Sequence, residues 1–549
     1  MGGSSTDLTR RKFMKGVAVG AASLAGAAAL SSCANGEPAG GEAKGGSSGV
    51  TWDESYDIVV IGAGAAGFAA ALTAAETNAD ASIVVFEKAG QVGGNSAVSG
   101  GNYGAPGTPL QLKQGEADEA FKGDSPDLYY NEKRKLGEYR SDPKLTRVFA
   151  DNALEGYEWL TSLGIEFNKV GTYEKPIALP ENPQGMYFHS IYNMRFADGQ
   201  WIGAMTKGRH HKGSVYKEMT EGGANIAAMS DAADSHPNIT IRTNSEVTEI
   251  LREGVLAGDV IGVVVGGKNI EAKRGVVLAS GGYSANAEMC AKYDSRLSVD
   301  GRNTGVDSVT GDSLICAVDI GADTMNMDFI QIRMARSGIN YGCELLLEKQ
   351  GTYIDIDPDG NRFWKEVTDS QAYRSARLTE LYELGFIDWW SISDSSAIEA
   401  NEVEQEALEK AFKEGSVVQC DTLDDLAKTV GVSADKLQET IDRFNGFVDS
   451  GIDDDFGQES KFLKWKIETP PYYAVPRTYY RQHTCGGVCT DENAQVIDRR
   501  GEPIPRFYAA GEAMGGVHGT ERNGGCGWTE CIVFGRLAGK ALAQAEPRS

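Results

Sequence analysis

The chain is 549 residues long, with a formal charge of −25, 41% hydrophobic residues and 24% charged residues. So acidic a surface repels a phosphate backbone, which excludes nucleic acid as a partner, and the ordinary apolar content excludes wholesale disorder. Nine cysteines in this length exclude a disulfide scaffold, and at roughly 150 residues per domain the chain is expected to form two to four domains.

Thr9-Arg10-Arg11-Lys12-Phe13-Met14-Lys15 precedes an Ala/Gly-rich apolar run over 17–30. The run is shorter than the roughly 20 residues a bilayer span needs. It predicts a signal segment over 1–33, and the paired arginines mark the twin-arginine type, which exports folded proteins. Leu30-Ser31-Ser32-Cys33 has the form of a bacterial lipobox. A lipid on Cys33 would anchor the protein at the extracytoplasmic face of the membrane; the other reading is a plain signal peptide whose cysteine is incidental. The Gly/Ser/Ala/Glu stretch over 34–50 predicts a flexible tether.

Asp57-Ile58-Val59-Val60-Ile61 is a short β-branched run, as a buried parallel strand requires. It leads into Gly62-Ala63-Gly64-Ala65-Ala66-Gly67 and an Ala-rich segment, 68–77, expected to be an amphipathic helix. A second strand, 82–86, ends at Glu87-Lys88. Gly62 permits the tight turn, Gly64 lets the backbone approach a pyrophosphate, and Gly67 allows close helix–strand packing. The helix N-terminus faces the phosphates, and Glu87 can hold ribose hydroxyls. Strand, turn, helix and acid together predict a dinucleotide site.

A second glycine-dense segment, Gly93-Gly94-Asn95-Ser96 with Ser99-Gly100-Gly101, suits backbone running beside a longer ligand. Val276-Val277-Leu278-Ala279-Ser280-Gly281-Gly282 and Phe507-Tyr508-Ala509-Ala510-Gly511-Glu512 read as further strands ending in glycine. Glycine-terminated strands spread from the first fingerprint to the C-terminal region imply one sheet, completed late in the chain, around FAD rather than NAD. The cofactor set is Gly62, Gly64, Ala66, Gly67, Glu87 and Lys88 from the fingerprint, then Gly94, Asn95, Ser96, Gly100 and Gly101. Val247, Ser280, Gly281 and Asp312 follow in mid-chain, and His483, Gly511, Glu512, Arg522 and Gly525 near the end.

With Thr310-Gly311-Asp312, Gly360-Asn361-Arg362-Phe363, His483-Thr484-Cys485-Gly486-Gly487 and Gly516-Val517-His518-Gly519-Thr520-Glu521-Arg522-Asn523-Gly524-Gly525, the sequence resembles a known superfamily over about residues 55–545. It is similar to the soluble FAD-dependent fumarate reductase flavoproteins, with the related urocanate reductases and 3-ketosteroid dehydrogenases. The resemblance implies an α/β fold. A Rossmann-like FAD-binding domain, 51–327 plus 476–549, would carry an inserted α+β capping domain, 328–475, with noncovalent FAD and substrate between them. Helical patches are predicted in the cap over 397–414, 423–430 and 434–449, with Ser433 as an N-cap.

The resemblance places Arg522 where an arginine clamps a substrate carboxylate. It places Gln482 and Arg333 where fumarate reductases carry histidines, and Glu344-Leu345 near a Thr-Glu pair. The arginine that donates a proton aligns with Ser370, and Arg374 and Arg377 follow at helical spacing. A four-carbon dianion needs cations at both ends and a donor anti to the hydride. Fumarate is therefore not the expected substrate, while hydride exchange between flavin N5 and an activated C–C bond is retained. Arg522 would stabilise the enolate-like charge. The acid is left open between Tyr479-Tyr480, before Gln482, and Arg374 or Arg377.

The expected function is reduction of an enoate or enone, in anaerobic respiration, by an exported enzyme. Without C-x-x-C-H or a covalent FMN site, electrons come from a separate donor, a membrane-linked cytochrome or flavoprotein. Two rivals stand beside it: a 3-ketosteroid-type dehydrogenase, and a flavin lipoprotein that shuttles electrons without an organic substrate. No metal is assigned, since the six histidines lack zinc-site spacing. Cys485/Cys489 and Cys526/Cys531 are expected to be buried free thiols rather than cluster ligands. His210-His211 could face phosphate or solvent, His518 is expected to pack or bond backbone rather than catalyse, and Trp389-Trp390 and Tyr472-Tyr473 are expected in the core or at the interface between the lobes. The acidic runs at Asp453-Asp454-Asp455 and 402–409 are expected to be solvated faces.

Overall fold

The computed structural model describes residues 49–117, 121–171, 209–254, 256–295, 297, 302–334, 346–347, 351–367, 388–522 and 524–548. The leader with Arg10, Arg11 and Cys33, and the positions Glu344, Leu345, Ser370, Arg374 and Arg377, lie outside the described residues.

The larger sheet grows from the β-branched runs. Its strand order is Gln495–Ile497, Pro503–Ala509, Lys268–Leu278, Glu54–Ile61, Ile83–Phe86, Ile239–Arg242, and the five strands after Gln495–Ile497 are mutually parallel. A hairpin, Val247–Gly254 and Ala257–Val265, extends it from Lys268–Leu278. Ile58, Val59 and Val60 are fully buried, as strands covered on both faces must be.

The helix after the fingerprint is Ala65–Thr77, and every residue from Ala65 to Ala75 is buried. The expected amphipathic face is therefore corrected: the helix lies between the sheet and the C-terminal helix Cys526–Gln544, which is itself largely buried. Alanine and glycine permit that approach, since a Cβ at Gly539 would sit 2.1 Å from the Ala70 carbonyl oxygen.

A second, six-stranded sheet is organised on the long strand Tyr472–Thr484. It pairs antiparallel with Asp388–Asp394, Ile330–Met334 and Val418–Cys420, and in parallel with Arg302–Asn303, while Ile354–Ile356 adds to Asp388–Asp394. Helices Leu423–Val430 and Ala434–Ser450 cover it through Leu426, Leu437, Ile441 and Phe444. The expected helix over 397–414 is two helices, Ser395–Ala400 and Gln405–Lys413. Ser433 occupies the N-cap position but its side chain makes no capping bond.

The acidic run at 453–455 is not simply a solvated face. Asp453 is buried and pairs with Arg362 at 2.8 Å, while Asp455 binds Arg443. Arg362 also grips Glu366, so the Gly-Asn-Arg-Phe motif supplies the cation of a buried ion network.

Candidate active site

Four parallel strands end together at Ile61, Phe86, Leu278 and Ala509, and a groove of about 850 Å³, partly open to solvent, lies at those carboxyl ends. Ligands bind in α/β sheets in this place. The lining comprises Gly62, Gly64, Ala65, Ala66, Glu87, Lys88, Gly93–Ser96, Ser245–Val247, Ala279–Gly281, Ser308–Ser313, Ala510, Glu512 and Cys531.

Local sequence sets its shape. Gly62 has φ +101°, and a Cβ at Gly67 would lie 1.9 Å from the Gly62 oxygen. Gly64 gives the helix that follows it no side-chain cap, the Ser96 hydroxyl accepts from the Ala65 N–H at 3.2 Å, and the positive end of the helix lines the groove. The Glu87 carboxylate accepts from the N–H groups of Ala63 at 3.0 Å and Ala89 at 2.8 Å. The Lys88 ammonium pairs with Asp312 and donates to the Thr310 hydroxyl. Burial pushes the Asp312 carboxyl up, but Lys88 and Thr310 outweigh it and hold it below the usual range.

Past Glu512, a buried cluster of charged and polar groups gathers around Arg522. Glu512 accepts from the Thr484 N–H at 2.8 Å, and its other oxygen lies 3.4 Å from His483 Nδ1. Burial raises the Glu512 carboxyl, yet His483, the Thr484 N–H and Arg522 bring it below its ordinary value. Burial and then the Arg522 charge lower His483, whose Nε2 has no partner. His518 Nε2 lies 2.9 Å from Glu530 Oε2. Glu521 accepts from the Gln331 amide and from the Arg522 backbone N–H. The Arg522 guanidinium lies against the start of the C-terminal helix, with Nε sealed from solvent and unpartnered.

Residues 57–528 match the family described as FAD binding domain. The chain belongs to that family. It is 29% identical over 512 residues to the urocanate reductase of Eggerthella lenta, covering 90% of this chain and 75% of the relative. It is 29% identical over 566 residues to the acrylate reductase flavoprotein subunit of Shewanella woodyi, covering 98% and 99% respectively. Among solved structures it is similar to the open conformation of a flavocytochrome c3 fumarate reductase, with TM-score 0.70, 28% identity and coverage of 90% of this chain and 79% of that one.

The cofactor of this FAD binding domain protein is FAD, and the chain is an oxidoreductase of carbon–carbon bonds. The groove fits the group. A Cβ at Gly64 would find its nearest protein atom at 3.7 Å and one at Gly94 would find none within 4 Å, so both backbones face open space. The Ser280 hydroxyl in the lining is buried without a partner.

Of the residues expected to hold FAD, Gly62, Gly64, Ala66, Glu87, Lys88, Gly94, Asn95, Ser96, Val247, Ser280, Gly281, Asp312 and Glu512 line the groove. Gly67 and Gly511 lie just behind it, Gly67 against Gly62 and Gly511 against Ala66 and Cys531. His483 and Arg522 stand beyond Glu512. Gly100, Gly101 and Gly525 are outside that lining. A Cβ at Gly101 would collide with the Glu221 carbonyl carbon at 2.3 Å, and one at Gly525 would lie 3.0 Å from the Gly104 nitrogen, so backbone packing requires both glycines. Gly100 turns toward the Asn102 amide.

Among the expected catalytic residues, Tyr480 is buried and its backbone faces Arg333 directly. The side chains of Arg333 and Tyr479 lie outside the described residues. Gln331 pairs with His483 and Ile332 with Arg481, which leaves Gln482 as the extra residue of a bulge. Bulges re-aim side chains, and the Gln482 amide oxygen is buried without a partner. His211 faces neither phosphate nor solvent. It is fully buried, bonds Thr108 at 2.7 Å and is pushed down to about 4 by burial. Cys485 and Cys526 are buried free thiols; Cys489 and Cys531 are free and partly exposed.

Lys133 and Glu530 belong to the cluster and carry no sequence signal. Lys133 lies on a helix, Pro126–Leu136, whose composition is mostly polar, yet its side chain is fully buried. Glu530 faces inward only because the C-terminal helix is covered on nearly every side.

Proposed function

We propose that this protein reduces the carbon–carbon double bond of an α,β-unsaturated carboxylate or carbonyl compound other than fumarate. The observation that carries this reading is the Arg522 guanidinium. It sits among Glu512, Glu521 and Glu530, yet its side chain makes no ion pair among the described residues. A cation held at the end of a flavin groove and bonded to no carboxylate of its own suits the oxygen of a substrate carboxylate or carbonyl. Its charge stabilises the electron density that moves onto that oxygen as the double bond is reduced.

Gln482 argues for a substrate with one such end. Its buried, unpartnered amide oxygen suits an uncharged hydrogen-bond donor on the rest of the substrate, where the second carboxylate of a dianion would require a cation. The similarity to urocanate and acrylate reductases supports an unsaturated acid as the substrate class. In the groove, the backbone N–H groups at the start of the helix Ala65–Thr77 would hold the pyrophosphate, with Glu87, Lys88 and Asp312 at the adenosine side. FAD held there, noncovalently, supplies hydride exchange at flavin N5.

Electrons are supplied by a separate donor, a membrane-linked cytochrome or flavoprotein. The Arg10-Arg11 leader and Cys33 support export by the twin-arginine route and lipid anchoring outside the cytoplasm. Membrane fractionation of the wild type and of Cys33→Ala tests the anchor.

The decisive experiment is anaerobic reoxidation of the reduced flavoprotein, with reduced viologen as donor, by a panel of enoates, cinnamates, enones and fumarate. Oxidation by a mono-acid or enone, with fumarate inert, is expected. If every member is inert, the reductase reading fails and the dehydrogenase or shuttle reading takes its place.

A further inference from the structure

We propose that Glu530, His518, His483 and Glu512 form a proton relay, in which negative charge arriving in the groove with the reduced cofactor draws a proton from Glu530 to Glu512. The inference needs FAD in the groove and no particular substrate, so it goes beyond the reading above.

The four groups stand in a row. Glu530 Oε2 lies 2.9 Å from His518 Nε2. The His518 and His483 rings meet edge to face with centroids 5.7 Å apart, and a nitrogen of each lies within 4.8 Å of the other and of a Glu530 oxygen. His483 Nδ1 lies 3.4 Å from Glu512 Oε2. Glu512 lines the groove and Glu530 is 1% exposed, so the row runs from the sealed interior to the cofactor site. The two ring nitrogens that face no carboxylate, His483 Nε2 and His518 Nδ1, are buried without a partner. A small ring rotation or a single water joins nitrogens at such a separation.

The direction of the row follows from its two ends. Burial raises the Glu512 carboxyl, but His483, the Thr484 N–H and Arg522 outweigh it and keep it ionised. An ionised carboxylate only accepts, so His483 carries its hydrogen on Nδ1 and its Nε2 is an acceptor. Burial and the Glu512 charge, opposed by Lys133 and Arg522, raise Glu530 to about 8. Protonated Glu530 donates to His518 Nε2, which leaves the hydrogen of that ring on Nδ1. The unpartnered donor of one imidazole and the unpartnered acceptor of the other are therefore complementary. Every hydrogen along the row points from Glu530 toward Glu512.

Two carboxylates thus share one negative charge, which rests on Glu512 until further negative charge enters the groove. Facing Glu530 are Lys133, Arg522 and the thiols of Cys485 and Cys531. The two cations stabilise a carboxylate formed there. Negative charge beside Glu512 reverses the preference, because like charges repel strongly in a site with little solvent and the transfer separates them.

The transfer balances. The Glu530 O–H bond breaks as His518 Nε2 takes its hydrogen. His518 gives the Nδ1 hydrogen to His483 Nε2, and His483 gives its Nδ1 hydrogen to Glu512. Both imidazoles end neutral with the hydrogen on Nε2, Glu530 ends as carboxylate and Glu512 as carboxylic acid. No electrons leave the four side chains; those that reduce FAD come from the electron donor. Reoxidation returns the proton by the same row.

The test compares the oxidised and electrochemically reduced FAD-loaded protein at pH 7. In the wild type, reduction should remove one carboxyl C=O infrared band and create another. The 15N resonances of histidine-labelled protein should report Nδ1–H at His483 and His518 before reduction and Nε2–H at both after it. Glu530→Gln keeps the shape and the hydrogen bond but has no proton to give, so both band changes and the tautomer switch should be lost. Glu512 then stays charged beside the reduced cofactor. Reduction should be at least about tenfold less favourable, a midpoint potential lower by about 30 mV. In His518→Gln the Glu530 band should persist through reduction, because the row is cut. A wild type whose carboxyl bands and tautomers do not respond to reduction, or a Glu530→Gln variant with the wild-type potential, would reduce the four groups to a packing network and overturn the relay. These readouts use bound flavin and no acceptor, so they are independent of the outcome of the substrate panel.

Discussion

His518 and Glu530 meet at 2.9 Å with both side chains at most 2% exposed, and each is pushed toward its neutral form. Burial, then Lys133 and His483, drives the His518 ring well below its ordinary value. Burial lifts Glu530 to about 8 against the opposing charges of Lys133 and Arg522. At neutral pH the pair is a neutral imidazole and a protonated carboxyl. A cavity that cannot solvate ions thereby keeps one shared hydrogen bond in place of two buried charges.

Stability should follow from Glu530. Its folded form keeps the proton to about pH 8, whereas the unfolded chain releases it near pH 4.3. Between those values the folded state binds more protons, so stability falls as pH rises. Glu530→Gln keeps the hydrogen bond and removes that slope. From pH 5 to pH 8 the wild type should lose roughly 2–4 kcal/mol more than the variant in urea titrations. Parallel curves would mean that Glu530 is already ionised.

Arg522→Ala should retain FAD and lose turnover by about 100- to 1,000-fold, the range for removing one donor that meets developing charge. Flavin absorbance and viologen-linked turnover measure the two effects separately. Full turnover in the variant would remove Arg522 from the chemistry.

The two inner glycines of the fingerprint should fail in different ways. Gly67→Ala drives a Cβ to 1.9 Å from the Gly62 oxygen, so the apoprotein should lose about 2 kcal/mol or more. Gly64→Ala meets no protein atom closer than 3.7 Å, and its φ of −84° suits alanine. That apoprotein should melt as the wild type does, yet bind FAD at least about tenfold more weakly, a cost of about 1.4 kcal/mol. Flavin titration of both apoproteins decides it.

In the second core, Arg362 lies between Glu366 and Asp453, all three nearly sealed from water. Burial raises the Asp453 carboxyl, but Arg362 and the Phe456 and Gln458 N–H groups hold it below the usual range. Arg362→Met strands two carboxylates and should cost about 3–5 kcal/mol. Asp453→Asn leaves the Glu366 pair intact and should cost less. Equal losses in chemical denaturation would show that the network is already open.

Much of the groove was legible because its parts are local. A β-branched run, a glycine turn, a small-residue helix and an acid after the next strand each have a backbone reason that is visible within a few residues. The strand ends at Ile61, Phe86, Leu278 and Ala509 could be read in the same way. The sequence misled where surroundings decide. The helix Ala65–Thr77 has a small-residue pattern, but a second helix covers the side expected to meet solvent. His211 and Asp453 belong to charged or polar stretches, and yet both are buried.

By itself, the sequence determined that this chain folds around FAD, because turn chemistry and strand periodicity depend on near neighbours along the chain. The protonation of Glu530 and His518, the Arg522 guanidinium without an ion pair among the described residues, and the bulge at Gln482 were decided only by tertiary structure. Each depends on desolvation and on charges brought from distant segments, and those energies do not exist until the segments meet.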